Sequence, residues 1–317
     1  MPRPDTPGEY LFRVGAEAAG RRLDRYLADK FRRSRTSLVG RLEGCVFSRG
    51  AAGPDRPLPW GHRLQAGEQI LVRSEVRPEP EVEVRYRLLH RDEHLVVVDK
   101  GPGAPVHPVR GFRERTIVSR LRAELGLPDL EAAHRLDRET SGALLLARGR
   151  EVLHALMRQF AGRQVEKRYL AVVRGAPAFE RTLVEARLGP DREFSLTGRM
   201  RVVADGGQAA ATELEVLARL PDRALVAARP RTGRTHQIRV HLAHLGHPIL
   251  GDKLYQEGGR PHLDMIKDRL SADTLARLGH ARLALHAHGL AFTHPLTGAR
   301  LVFEVPLPED LAALVAP

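Results

Sequence analysis

Apolar residues recur along this chain in two rhythms, and the change of rhythm marks where strands give way to helices. Leu23, Tyr26, Leu27 and Phe31 return at three- and four-residue intervals, which predicts an amphipathic helix, and the LFRV string before it reads as a short strand. A second short helix is expected over 35 to 42, opened by Ser34 at a capping position. Apolar runs at 45 to 47 and 69 to 72 then flank a loop rich in glycine and proline, as in a small hairpin unit. RPEPEVEVRYR, with two prolines and alternating charge, is expected to be a linker ending near Val84.

A larger domain follows, beginning with LLHRDEHLVVVDK. Strands are expected over 94 to 99, 142 to 147, 169 to 174 and 225 to 228, and helices over 116 to 125, 151 to 161 and 235 to 245. The strands arrive without a regular βαβ rhythm, so the fold class is α+β, with a mixed, largely antiparallel sheet. The polar stretch from 258 to 280 reads as a helical excursion, and no internal repeat is present. The expected organisation is a tail and first strand over 1 to 20, a small α/β module over 21 to 75, a linker over 76 to 84, and the large domain over 85 to 317.

Charge narrows the class of partner. Lysine and arginine number 51 against 39 acids, for a net charge of +12, which suits a polyanion such as RNA. Cys45 is the one cysteine, which excludes an internal disulfide framework and a zinc site built on paired thiolates, and a reduced, cytoplasmic setting is expected. The first ten residues lack the apolar run of a secretory signal, and no stretch offers the roughly 18 apolar residues of a membrane span. A soluble protein with no membrane partner is expected.

Three strings carry candidate chemistry. In HRLDRETSGALLLAR, a charged loop runs straight into an apolar strand, and Asp137 stands between Arg135 and Arg138. Nearby cations favour a carboxylate, which suits either a nucleophile or a turn salt bridge. In VEKRYLAVVRG, Lys167 and Tyr169 lie two apart and so face the same side of a strand, where the ring serves as a core aromatic or as a stacking platform. In RPRTGRTHQIRVHLAHLGHPILGDKLY, Thr232 and Gly233 form a turn and Thr235 is expected to cap a helix carrying residues 236 to 244. His236, His241, His244 and His247 raise metal binding, but no acidic or thiolate ligand is evident beside them, and no metal site is expected. Arg239 and His241 are read as capping, packing or touching phosphate.

Taken together, these strings resemble the motifs of the RluA-type family of pseudouridine synthases, with LLHRDEHLVVVDKGPGAPVHPVRGFRERT and LALHAHGLAFTHPLTGARLVFEVPLPEDL extending the likeness over residues 85 to 312. Gly101 departs from it, because many members carry proline there. The resemblance implies isomerisation of uridine to pseudouridine without a cofactor. Asp137 would be the catalytic residue, acting at ribose C1′, at C6 of the ring or on the 2′ proton. It further implies that Tyr169 packs on the target base, that Arg234 partners Asp137, and that Ile238 forms an apolar floor. Arg135, Arg138, Lys167, His236 and Arg239 are the expected substrate contacts.

Upstream, RRLDRYLA, SRTSLVGRLEGCVF and LQAGEQILV resemble an S4-like RNA-binding domain, although Arg49 precedes Gly50 where asparagine is usual. Arg21, Arg22, Arg25, Arg32, Arg33 and Arg35 would then meet phosphates, rather than decorate a solvated face. The module tilts the expected substrate toward large-subunit ribosomal RNA, with transfer RNA as the alternative and a monomer as the expected state. Two other readings are a noncatalytic RNA-binding or ribosome-assembly factor, and a hydrolase releasing uracil from RNA.

Overall fold

The computed structural model describes residues 8–32, 35, 38–39, 42, 44–49, 54–74, 79–109, 112–194, 198–267 and 269–316. Ser34, Arg33 and half of the second expected helix lie outside them. The chain divides into two units, Met1–Pro78 and Glu79–Pro317.

In the first unit, β1 (Gly8–Arg13), β2 (Val46–Ser48), β3 (Arg56–Pro57) and β4 (Gln69–Ser74) form a sheet in the order β1-β4-β2-β3. The helix Leu23–Phe31 buries the four residues whose spacing predicts it, and they pack with Leu38, Leu42, Ile70 and Val72 in one apolar cluster. Its arginine face is partly self-neutralised: Arg22 pairs with the buried Asp24, which Arg35 also approaches at 3.8 Å, and Arg21 pairs with Asp29. Arg25 and Arg32 are exposed.

The second unit is built on β5 (Tyr86–Arg91), β6 (Leu95–Lys100), β7 (Leu130–Ala132), β8 (Ser141–Arg148), β9 (Glu166–Arg174), β10 (Arg181–Pro190), β11 (Met200–Val203), β12 (Gln208–Arg219), β13 (Arg223–Pro230), β14 (Leu285–Thr293) and β15 (Arg300–Glu304). Their order among the described residues is β11-β10-β12-β13-β9-β14-β8-β6-β5, with β15 paired to β14 and β7 to β8. Every pairing is antiparallel except β14 with β8. This is the mixed, largely antiparallel α+β fold that the sequence predicts.

The strings LVVV and GALLLA are continuously apolar because both faces of β6 and β8 are covered. Val96, Val98, Leu144 and Leu146 meet the helix Ile117–Leu125, whose N-cap Thr116 accepts from the Ser119 amide. Leu95, Val97, Leu145 and Ala147 face the other way, onto the helix Arg150–Ala161. A third core joins β9, β12 and β13 to the helix Gln237–His244 through Ile238 and Leu242. The excursion over 258 to 280 contains the short helices Arg260–Ile266 and Ala272–Leu278.

The parallel β14–β8 seam sets where the loop before β8 emerges. It is short, joining His286 to Ser141 and Ala287 to Gly142, and a Cβ on Gly142 would lie 2.2 Å from the Ala287 carbonyl oxygen. With φ of +111°, this position needs glycine on both counts.

Candidate active site

Asp137 stands in the loop between β7 and β8, where the strand pairing ends abruptly. His134 brings that about: its Nε2 accepts the Leu145 amide at 3.1 Å, so the ring replaces the next backbone partner and the chain peels away from the sheet. Burial pushes His134 down to about 3, which keeps the ring neutral and able to accept. A turn follows, closed by the Thr140 amide on the Asp137 carbonyl at 3.1 Å.

Beneath the turn lies Lys100, fully buried at the end of β6. Its three protons go to the carbonyls of Gly101, Arg138 and Thr140 at 2.9, 3.0 and 2.9 Å, which meets its whole donor capacity. Burial lowers its pKa to about 7. On the other side Lys253 holds the Glu139 carboxylate at 3.1 Å. The loop that carries Asp137 is therefore fixed on two sides.

The partner of Asp137 is Arg239, whose Nη1 donates to Oδ2 at 2.7 Å. Arg239 is aimed by Asp252, which takes Nε and Nη2 at 2.8 Å each in a two-pronged fork. Asp252 has no exposed side-chain surface and also accepts the amides of Leu254 and Tyr255, at 3.0 and 3.1 Å. The guanidinium lies over the Tyr255 ring at 5.0 Å. Gly251, just before Asp252, lets the chain pass close to the Arg282 backbone, since a Cβ there would sit 1.8 Å from the Arg282 carbonyl oxygen. Burial works to raise the Asp137 pKa, but Arg239 outweighs it and holds the carboxyl below its ordinary value.

This geometry corrects the expected pairing of Asp137 with Arg234. Arg234 is exposed on the turn before the helix, and its Nε donates to the Ala209 carbonyl at 3.1 Å. The cause is local backbone. Thr235 does not cap the helix; the N-cap position is His236, in the left-handed region at φ 55°, and no side chain caps there. Gln237 instead staples the turn, its buried amide accepting from Thr232 Oγ1 and the Arg234 amide and donating to Ala211 O and Thr212 Oγ1. The chain reversal sends Arg234 outward, and the first helical turn brings Arg239 to Asp137. The flanking cations also count for less than the sequence suggests: Arg135 is exposed and lowers the Asp137 pKa less than Arg239 does, and Arg138 leans to Glu139 at 3.9 Å.

The cleft in front of Asp137 has a volume of about 970 Å³. Tyr169, Lys167, Ile238, His236, Arg239, Arg135 and Arg234 all line it. Tyr169 sits on β9, and burial first, then the Asp137 charge, raises its phenol above the ordinary value, so it stays protonated at neutral pH. Lys167 shares that face and donates to the Thr232 carbonyl at 3.4 Å, with its own pKa lowered by burial. Ile238 presents a 6% exposed apolar surface.

Sequence reading missed Asp252 and Tyr255. Both lie in the LGDKLY string, where the only local signal is an acid–lysine pair just after a glycine between apolar residues. Among the described residues no group of three or more histidine, cysteine or acidic side chains is placed to hold a metal ion, and no helix is long and apolar enough to cross a membrane.

Residues 94–244 match the family model described as RNA pseudouridylate synthase. A protein of Pseudomonas aeruginosa named ribosomal large subunit pseudouridine synthase D is 32% identical over 312 residues, covering 96% of this chain and 93% of its own. One of the same name from Nitrosomonas europaea is 38% identical over 307 residues, with 94% and 84% covered. Among solved structures, human RNA pseudouridylate synthase domain containing 1 superposes with a TM-score of 0.58 at 28% identity, covering 75% of this chain and 91% of that one. Likeness at this level, over nearly the whole of both sequences and on a shared fold, reflects common descent, and the chain belongs to the RluA-type family of RNA pseudouridine synthases.

Proposed function

We propose that this enzyme isomerises uridines in large-subunit ribosomal RNA, with Asp137 as its catalytic nucleophile. The observation that carries the reading is the fork of Asp252 on Arg239, which turns Nη1 toward Asp137 to hold it ionised and aimed into the cleft. Pseudouridine formation breaks the N1–C1′ bond and rejoins the ring through C5, so the site must retain a detached base. Tyr169 supplies a flat face for the flipped uracil, replacing the neighbours it lost on leaving the RNA stack. Ile238 closes the apolar side, and Lys167 and Arg135 line the approach.

The ribosomal substrate rests on the relatives' names, on the net charge of +12 and on the arginine-bearing first unit, read as an S4-like RNA-binding module. The protein works as a cytoplasmic monomer in this reading. Mapping pseudouridines in total RNA from cells with and without the gene tests it. Loss of sites confined to large-subunit ribosomal RNA is the expected result. Loss confined to transfer RNA would overturn the choice of substrate, and no loss anywhere would favour a noncatalytic binder.

A further inference from the structure

His236 lines the cleft beside Asp137 in a setting that fixes which of its nitrogens carries the proton. Its Nδ1 lies 3.0 Å from the Tyr255 hydroxyl, and the same hydroxyl oxygen accepts the Met200 amide at 3.0 Å. The phenol proton therefore needs an acceptor, and of these two neighbours only Nδ1 has a lone pair to offer. Tyr255 donates to Nδ1, and the ring proton sits on Nε2. The opposite side of the ring agrees: Nε2 is 3.9 Å from Asp137 Oδ2, where a lone pair would face a carboxylate and an N–H dipole is attracted to it. The Tyr255 ring stands edge-on to the imidazole, with centroids 5.7 Å apart at 84°, and carries Arg239 on its face. Backbone adds the last constraint, because the left-handed φ of 55° at His236 ties the ring's position to the turn that Gln237 staples.

We infer that His236 is a further catalytic residue, a neutral imidazole whose Nε2–H donates to a carbonyl oxygen of the departing uracil, with Tyr255 as the positioning residue that sets its tautomer. The inference rests on the reading of the cleft as a uridine site. As the C1′–N1 bond breaks, its electron pair stays with the base, and the uracil carbonyls take up negative charge. A fixed donor at that position stabilises the anion without surrendering its proton, so it acts in the transition state more than in the ground state. The ring stays neutral throughout the working range. Burial and the neighbouring Arg239 push His236 down to about 4, against the pull of Asp137 and Asp252, with Arg135 also disfavouring the imidazolium.

Two measurements test this. Long-range 1H–15N spectra of the native protein labelled in histidine read the tautomer directly: the Nε2–H pattern, unchanged from pH 5.5 to 8.5, is expected, and in Y255F that pattern is lost or mixed. An Nδ1–H pattern in the native protein would overturn the inference. In single-turnover assays on RNA, H236G, which accepts the left-handed backbone but has no donor, should lower kcat about a hundredfold while KM changes little. H236N, tolerated at positive φ and still an N–H donor, should recover part of that loss. Native kcat in H236G would sink the proposal. If the native protein itself modifies no RNA, the uridine reading fails instead, and the spectra still report the tautomer.

Discussion

At the scale of single residues, the site turns on which cation meets Asp137. Arg239 makes three charge-assisted bonds, one to Asp137 and two to Asp252, and a lysine can reproduce the charge but not the fork. R239K should therefore cost about a hundredfold in kcat in a single-turnover assay, whereas R234A should raise KM for RNA with kcat within about threefold. The reverse ranking would restore the pairing that the family resemblance implies. The same contact predicts a pH effect. Asp137 has a folded pKa below its ordinary value, so its ionic contribution to stability is complete above the usual carboxylate pKa of about 4 and is lost only as pH falls through the lower folded value. In R239Q the burial of the carboxylate loses its main opposing cation, and the acid limb of the kcat profile should move to higher pH. The shared face of Lys167 and Tyr169 was legible from their two-residue spacing on a strand, whereas Asp137 stood out only through the likeness of its whole motif to the family's. The arginine was not, because Arg234 and Arg239 straddle a left-handed residue that no local pattern announces, and the turn at His236 decides which of them points inward.

Secondary elements converge on the site through a few close approaches, and these set its tolerance to change. The string GALLLA reads as a strand from its composition, yet nothing in it says that β8 meets β14 in parallel across Gly142. G142A should displace the seam and destabilise the protein by more than about 2 kcal/mol in denaturant unfolding, since the new Cβ meets backbone and φ is positive. Asp252 tells the same story for a loop: its partner lies thirteen positions back on a helix, and only the fold brings them together. D252N leaves the buried Arg239 with half its compensation, and a loss of about 3–5 kcal/mol is expected from such a broken pair. The D252N protein should also lose kcat, because Arg239 is then free to turn from Asp137. Full activity in D252N would show that the fork does not aim the arginine.

For the whole molecule, the sequence rhythms anticipated the α+β class and the largely antiparallel sheet, because those follow from burial patterns repeated over many residues. Sheet order was beyond them, since β9 lies beside β13 and β14, elements far from it in the chain. The surplus of cations has a measurable consequence. Binding to RNA should weaken steeply with salt, and R25A, which removes an exposed arginine of the first unit, should reduce the salt slope by about one while leaving single-turnover kcat unchanged. The most direct test of the account concerns Asp137 itself. RNA carrying tritium at uridine C5 should release label to water with the native protein, and D137N should bind that RNA with similar affinity yet release none. Label released by D137N at the native rate would contradict the assignment of Asp137 as the residue that drives the isomerisation.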